Sequence, residues 1–255
     1  AMRLVERAKA MRKDGPQPEA EALCTQAIAL APDLATAWAH RGFRRFMRQD
    51  YANAAADYRE ATRLEPRSAG HHDNLSVNLQ RSGDAAGALV ALDRAVTLDP
   101  SRGARTLMFR IDLLITLKRF VDAIALLEGL LARLPDDLPV LEKLGYAHYC
   151  AGQHPQAVDV FTRLIRLQPE ESAHYVNRAY NLLKLERVDD ARRDAERSVE
   201  LGPKMPEAWH VRAVLRLRAE DLAGAEADFA RALELEPGDE STATKLRDVR
   251  ARLGR

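Results

Sequence analysis

Alanine and proline recur along this chain with a period of 34 residues, interrupted once by a single extra residue. Seven alanines keep this period, and seven prolines follow them at a distance of twelve residues. A fixed period of this length predicts one structural unit that is repeated along the chain. The alanines are Ala20, Ala54, Ala88, Ala123, Ala157, Ala191 and Ala225, and the prolines are Pro32, Pro66, Pro100, Pro135, Pro169, Pro203 and Pro237.

Within one period, apolar residues follow helical spacing in two stretches that are joined by a short polar turn. In residues 35–68, Trp38 and Gly42 lie four residues apart in the first stretch, and Ala54 and Tyr58 lie four apart in the second. The proline ends the second stretch, because it has no N–H and disfavours helical backbone in the residue before it. Each period therefore predicts a helix–turn–helix hairpin. A hairpin cannot bury its apolar face alone, so neighbouring hairpins are expected to stack.

These features closely resemble the tetratricopeptide repeat. The resemblance rests on the W-x-x-x-G spacing of Trp38 and Gly42, the alanine at position 20 of each unit, aromatic residues at position 24 and the terminal proline. It covers residues 1–239 and implies an all-α fold, a right-handed superhelical solenoid whose first helices line a concave groove. The seven helix–turn–helix repeats are predicted at 1–34, 35–68, 69–102, 104–137, 138–171, 172–205 and 206–239, with Gly103 as a one-residue insertion.

Residues 240–255 predict one more helix, with Leu246, Val249 and Leu253 on a single apolar stripe. One interpretation is an arm that docks on a partner. The other is a capping helix that covers the open face of the last repeat, as repeat arrays require. We expect the capping helix.

Position 7 of the repeat is usually a core leucine in this family, but five of the seven repeats here have arginine. Three of those five carry aspartate at position 23, whereas the repeats with leucine at position 7 have an apolar residue there. Since one hairpin brings positions 7 and 23 together, we predict structural ion pairs with charge-assisted hydrogen bonds rather than ligand-binding arginines. No partner is predicted for Arg7 or Arg110. The predicted pairs are Arg41–Asp57, Arg178–Asp194 and Arg212–Asp228.

The resemblance implies that positions 2, 5, 9, 12 and 13 of the first helices face the groove, with position 6 near its edge. These positions hold aromatic and apolar residues in the middle of the chain and basic residues at its beginning. Exposed aromatic and methionine side chains offer large contact areas at low conformational-entropy cost. The predicted groove residues are Phe43, Phe46, Met47, Asn74, Val77, Met108, Ile115, Tyr146, Tyr149, Asn177, Tyr180 and Leu183, and the predicted basic end is Lys9, Arg12 and Lys13.

The position-12 residues Phe46, Tyr149 and Leu183 either face the groove or pack against the neighbouring repeat. At position 9 we expect the side chains to be exposed in the groove. We expect the ligand to be an extended segment or an amphipathic helix with apolar anchors, and with acidic residues toward the basic end.

Chaperone-binding members of this family use a two-carboxylate clamp of basic and asparagine side chains. Asn74 and Arg105 stand at two of its positions, but Ala39, Phe43 and Phe109 occupy others, so we expect no clamp.

The net charge of +1 argues against a general binder of nucleic acids or anionic membranes, because both need a concentrated positive field. No apolar run approaches the roughly 18 residues that cross a bilayer, so no membrane insertion is expected. Residues 2–7 are charged, unlike a signal peptide, and we expect a cytoplasmic location. A periplasmic location stays open if the chain is a fragment of a longer protein. Arginine outnumbers lysine 32 to 7, which hints at a bacterial genome rich in GC.

The sequence carries no motif of a metalloprotease, a serine hydrolase, a phosphate loop or a redox dithiol. His71, His72 and Asp73 form one dense cluster of potential ligands, but adjacent helical residues point about 100° apart and cannot readily share a metal. Cys24 and Cys150 fall in different repeats and are expected to be free thiols. We therefore expect no catalysis, no metal and no cofactor.

The first functional hypothesis is a non-catalytic scaffold that binds a protein or peptide segment in an aromatic groove. The alternative is the interaction region of a larger enzyme, a glycosyltransferase or sulfotransferase, or of a bacterial secretion or polysaccharide-export machine. RNA binding is a weaker third hypothesis, because the arginines are offset by carboxylates.

Overall fold

The computed structural model describes residues 1–11, 18–101 and 103–254, with backbone alone at residues 104 and 105, and all fifteen regular elements in these residues are α-helices. The chain divides into two units, Ala1–Arg119 and Phe120–Arg255. Unit 1 contains α1 (Met2–Ala10), α2 (Pro18–Leu30), α3 (Ala35–Met47), α4 (Tyr51–Leu64), α5 (Ala69–Arg81), α6 (Ala85–Leu98) and α7 (Ala104–Thr116). Unit 2 contains α8 (Phe120–Leu131), α9 (Leu138–Cys150), α10 (His154–Leu167), α11 (Ser172–Lys184), α12 (Val188–Leu201), α13 (Pro206–Arg218), α14 (Leu222–Leu235) and α15 (Glu240–Arg252).

The turns between paired helices contain one residue with left-handed backbone. Glycine occupies this place at Gly83 and Gly152, whereas Gly15, at the corresponding position of the first repeat, lies outside the described residues. The four other described turns reach the same conformation without glycine. Their φ angles are 62° at Gln49, 57° at Lys118, 59° at Glu186 and 61° at Glu220.

The small residues that recur along the sequence lie where helices approach each other closely. Each of the seven periodic alanines is fully buried. At position 8, a Cβ atom added to Gly145 would lie 2.7 Å from Phe161 Cζ, and one added to Gly42 would lie 2.9 Å from Tyr58 Cε2. Because these glycines have no side chain, the aromatic ring of the second helix packs directly against the backbone of the first.

Helix α15 packs its apolar stripe against the last helix pair of unit 2. Leu246 and Val249 are buried in one cluster with Ala213 and Phe229, and Leu253 packs at its edge. This contact covers apolar surface of α13 and α14, which is the arrangement that we propose for a capping helix.

None of the helices in the described part of the chain combines the length and the apolar character needed to cross a membrane. The thiol of Cys24 is buried and that of Cys150 is half-buried, and both cysteines are free.

Candidate functional site

Unit 1 contains a cavity of about 560 Å³ between α1, α3 and α5, with Tyr58 of α4 among its walls. Phe43 and Asn74 of the predicted groove and Lys9 of its predicted basic end reach this cavity. The sequence did not predict that His40, Arg44 or His71 would lie beside them. We call it the unit 1 cavity. Its lining residues are Lys9, Thr36, Ala39, His40, Phe43, Arg44, Tyr58, His71 and Asn74.

The polar groups of the unit 1 cavity are mainly cationic or neutral donors. Arg44 is 4% exposed, and its Nη2 donates to the Ala8 carbonyl oxygen at 2.7 Å, which ties α3 to α1. Burial lowers the pKa of His40, and the nearby charges of Lys9 and Arg44 lower it further, so His40 is neutral at neutral pH. No aspartate or glutamate belongs to the described lining, although Glu6 Oε1 lies 2.7 Å from Lys9 Nζ and Glu65 pairs with His71 from outside it. The lining itself therefore favours an anionic group over a cationic one.

Unit 2 contains a cavity of about 480 Å³ that is mainly aromatic. Tyr146 is 52% exposed and Tyr149 is 40% exposed, whereas Tyr180 is half-buried and its burial raises its pKa. A hydrogen bond with the Cys150 thiol raises the pKa of Tyr146. We call this space the unit 2 cavity. Its lining residues are Glu142, Tyr146, Tyr149, Phe161, Glu171, Ala173, His174, Asn177, Tyr180 and Asn181.

The charges of the unit 2 cavity are acidic. Glu142 and Glu171 supply two carboxylates, and neither lysine nor arginine belongs to the described lining. His174 is 2% exposed, and its Nε2–H donates to Gln168 Oε1 at 3.0 Å. Burial lowers the pKa of His174 despite the opposing effect of both carboxylates, so the ring is neutral at neutral pH and does not offset them.

A smaller cavity of about 120 Å³ shares Tyr180 with the unit 2 cavity and is also acidic. Its other lining residues are Pro206, Glu207, His210, Glu236 and Asp239.

All but one of the remaining predicted groove residues lie outside these two cavities. Val77 lines a third cavity, of about 520 Å³, between α5 and α7. Phe46 is half-buried with its ring centroid 5.7 Å from that of Tyr51, and Leu183 is half-buried against a core cluster of unit 2. Of the other four, Met47 is exposed, Met108 and Ile115 are half-buried, and Asn177 lines the unit 2 cavity. Arg12 and Lys13 lie outside the described residues.

The three arginine–aspartate pairs named from the sequence lie within hydrogen-bonding distance, each joining the two helices of one hairpin. All three aspartates are buried, and hydrogen bonds to them raise the pKa of Arg178 and Arg212. The position-4 ring lies beside each guanidinium, as in the 4.8 Å between Arg41 Cζ and the Trp38 ring centroid. The closest nitrogen–oxygen distances are 2.7 Å for Arg41–Asp57, 2.7 Å for Arg178–Asp194 and 2.8 Å for Arg212–Asp228.

Arg110, for which no partner is predicted, lies against the preceding hairpin. Its Nε is 3.1 Å from Asp93 Oδ1, in a direction that makes an ion pair rather than a hydrogen bond. The partner is at position 25 of the preceding repeat, so pairing within a hairpin is not the sole arrangement available to a position-7 arginine.

The position-4 side chains also join each repeat to the one before it. In four repeats the side chain donates a hydrogen bond to the carbonyl oxygen of the preceding repeat's terminal proline. The distances are 2.9 Å for Trp38 to Pro32, 3.2 Å for His72 to Pro66, 3.0 Å for Tyr175 to Pro169 and 3.0 Å for Trp209 to Pro203.

Sequence reasoning missed several of the polar residues that line the two cavities. His71 and His174 stand at position 3, which we did not expect to face the groove, and Arg44 stands at position 10, where burial would normally require an apolar residue. The sequence carried little signal, because position 3 also holds Arg3 and Thr106 and position 10 also holds Asn78 and Asn181. His71 Nε2 lies 3.0 Å from Glu65 Oε2, and the described residues contain no group of three or more ligands arranged to hold a metal.

Comparison with known proteins gives matches over separate parts of the chain. Family models described as tetratricopeptide repeat match residues 79–144 and 176–240, together about half of the chain. The structure of the C-terminal part of a TPR repeat-containing protein from Cytophaga hutchinsonii covers 95% of this chain and 99% of that chain, with a TM-score of 0.68 and 18% identity. That likeness concerns the fold.

Two curated relatives match over shorter segments. The Hsp70-Hsp90 organizing protein of Triticum aestivum is 32% identical over 106 residues, which are 42% of this chain and 18% of that protein. Serine/threonine-protein phosphatase T of Aspergillus oryzae is 33% identical over 99 residues, which are 38% of this chain and 21% of that protein. The matched part is thus about a fifth of the length of these relatives.

Proposed function

Because the chain belongs to the tetratricopeptide repeat family, we propose that it is a non-catalytic protein-interaction scaffold that binds an extended or helical segment of a partner on its first helices. The observation that carries this proposal is the position of the exposed aromatic residues. Tyr146 and Tyr149 open into the unit 2 cavity, and Phe43 opens into the unit 1 cavity. Aromatic side chains in such recesses are the usual centres of binding energy in protein interfaces.

The two cavities favour a peptide over a small metabolite. Each is open, lined by successive first helices, and combines aromatic surface with a few polar groups. A peptide segment can place one side chain in such a recess while its neighbours contact the adjoining helices. In unit 1 the cationic lining favours an acidic side chain of the partner next to Lys9 and Arg44.

A second candidate is an interaction region within a larger enzyme or a bacterial export machine. It is supported by the length of the curated relatives, one of which is named as a phosphatase and is matched over 21% of its length. In that case the cavities would bind a segment of the substrate or of an assembly partner.

The test begins with peptides selected from a random display library on the full chain. Their affinities are then measured for the wild type and for the Phe43→Ala/Tyr146→Ala/Tyr180→Ala variant. We expect the variant to bind at least about tenfold more weakly, because truncated hot-spot aromatics each cost more than about 1 kcal/mol.

The matched control removes three exposed apolar side chains from second helices, in the Leu30→Ala/Val90→Ala/Leu167→Ala variant. This variant should keep the wild-type affinity, and circular dichroism with thermal unfolding checks that both variants fold. Equal affinities for the wild type and the aromatic variant would show that the peptides bind elsewhere and would refute the proposal.

A further inference from the structure

The unit 2 cavity brings carboxylates and aromatic faces together. Glu142, Tyr146 and Tyr149 of α9 and Glu171 at the start of α11 line it together, and both tyrosine side chains are exposed. Because His174 is held neutral by burial, no described lining group balances the two negative charges. A ligand that enters this space therefore meets a negative potential in a partly apolar setting, where charge interactions are less screened than in water.

The same sign of charge continues beyond Tyr180. Glu207, Glu236 and Asp239 line the smaller cavity on its other side. Among the described charges that affect the pKa of His210, Lys245 is the one cation, and it does not belong to the described lining of the smaller cavity. The acidic surface of unit 2 therefore extends over both the unit 2 cavity and the smaller cavity.

From this juxtaposition we propose that the unit 2 cavity holds the side chain of a lysine or arginine from the partner segment. The inference rests on the proposed function and names the ligand chemistry of one of its sites. The cation lies against the tyrosine faces, which attract positive charge, and its N–H groups donate to Glu142 and Glu171. The aliphatic part of the side chain packs on Phe161 at the base of the cavity.

The experiment uses the full chain and four fluorescein-labelled peptides of the form Ala-Ser-Leu-Ala-X-Ala-Leu-Ser-Ala. X is lysine, arginine, norleucine or glutamate, and dissociation constants are measured by fluorescence anisotropy at low salt. We expect the lysine and arginine peptides to bind about tenfold more tightly than the norleucine peptide, and the glutamate peptide to bind most weakly. Norleucine keeps the length of lysine and removes its charge, so the ratio isolates the cation.

Two variants locate the effect. In Glu142→Gln/Glu171→Gln, the affinities for lysine and norleucine should converge, because the amides keep the shape of the carboxylates without their charge. In the unit 1 variant Lys9→Gln, the preference for lysine should be unchanged. Equal affinity for lysine and norleucine in the wild type, a preference that persists in the Glu142→Gln/Glu171→Gln variant, or no binding by any of the four peptides would each overturn the inference.

Failure of the inference is distinguishable from failure of the proposed function. If the four designed peptides show no preference for lysine while library-selected peptides still lose affinity for the Phe43→Ala/Tyr146→Ala/Tyr180→Ala variant, the scaffold proposal stands and the cation site is refuted. If the library-selected peptides are insensitive to that variant, both proposals fail.

Discussion

The unit 1 cavity and the unit 2 cavity each have one wall with the same residue pattern and one wall that differs. Helices α5 and α11 carry the same polar pattern, His-x-x-Asn-x-x-x-Asn, with its first histidine at His71 and at His174. In both units an aromatic ring of a second helix lies against a glycine of the first. The opposite walls differ, because α3 contributes Arg44 at position 10 whereas α9 contributes Glu142 at position 5. A few substitutions in the lining thus change the sign of charge while the packing stays the same.

The hairpins behind the differing walls are also held together differently. The α3–α4 hairpin uses Arg41 and Asp57, and Arg45 Nη1 lies 3.0 Å from the same aspartate. The α9–α10 hairpin has Leu144 and Val160 at the equivalent positions, and Val160 packs against an apolar cluster. The two helices of a hairpin are thus joined by a buried ion pair in one case and by apolar packing in the other.

The largest expected effect comes from removing the buried carboxylate. Asp57→Ala should lower the free energy of unfolding by about 3–5 kcal/mol, because it leaves Arg41 without its buried counter-charge. Arg45 keeps a second partner, since its Nε lies 3.0 Å from Glu21 Oε1. Val160→Ala, at the equivalent position, should cost roughly 1 kcal/mol through lost apolar contact. Urea unfolding followed by circular dichroism measures both.

A double substitution sharpens this result. Arg41→Leu/Asp57→Val gives the α3–α4 hairpin the residues of the α9–α10 hairpin, and it should recover most of the loss, because replacing both partners leaves no unpaired buried charge. A double variant as unstable as Asp57→Ala would contradict the view that the two hairpins are interchangeable.

The shared polar wall offers the second comparison, between two buried asparagines. Asn181 Oδ1 lies 3.0 Å from His154 Nδ1, whereas Asn78 Oδ1 has no hydrogen-bond partner among the described residues. Asn181→Leu should therefore cost about 1–3 kcal/mol of unfolding free energy, because it removes the partner of a buried ring nitrogen.

Asn78→Leu should cost about 1 kcal/mol less than Asn181→Leu, because both lose a 2.8 Å hydrogen bond from Nδ2 to a main-chain carbonyl but the Asn78 acceptor is already unsatisfied. The same urea titration compares the two variants. Equal losses at both positions would mean that the contact with His154 adds nothing.

The smallest expected effect concerns the glycine beneath the unit 2 cavity. Gly145→Ala should destabilise the chain by about 1 kcal/mol, because overpacking against Phe161 outweighs the gain in helix propensity. Gly129→Ala is the matched control, because nothing lies within 4 Å of an added Cβ there, and it should raise stability by up to about 1 kcal/mol. Thermal unfolding compares the two, and a Gly145→Ala variant as stable as Gly129→Ala would show that the ring moves without cost.

The repeating pattern of the sequence was sufficient to predict the helical fold, because period, small residues and prolines are local signals that recur many times. It also led us to name Tyr146, Tyr149 and Asn177, which line one cavity together. It did not lead us to His174 or Arg44, since their access to a cavity depends on how two neighbouring helices are spaced. The left-handed turn residues Glu186 and Glu220 were likewise hidden, because their side chains give no sign of this backbone conformation.

The hydrogen bonds from position-4 side chains to proline carbonyls have a consequence for how such a chain can evolve. The acceptor is a main-chain atom, so it is present whatever residue precedes or follows it, and tryptophan, histidine and tyrosine all use it here. A gene segment encoding one repeat could be duplicated and inserted next to another copy, and its donor would meet an acceptor already in place. Growth of the array by duplication therefore requires no compensating mutation at this junction.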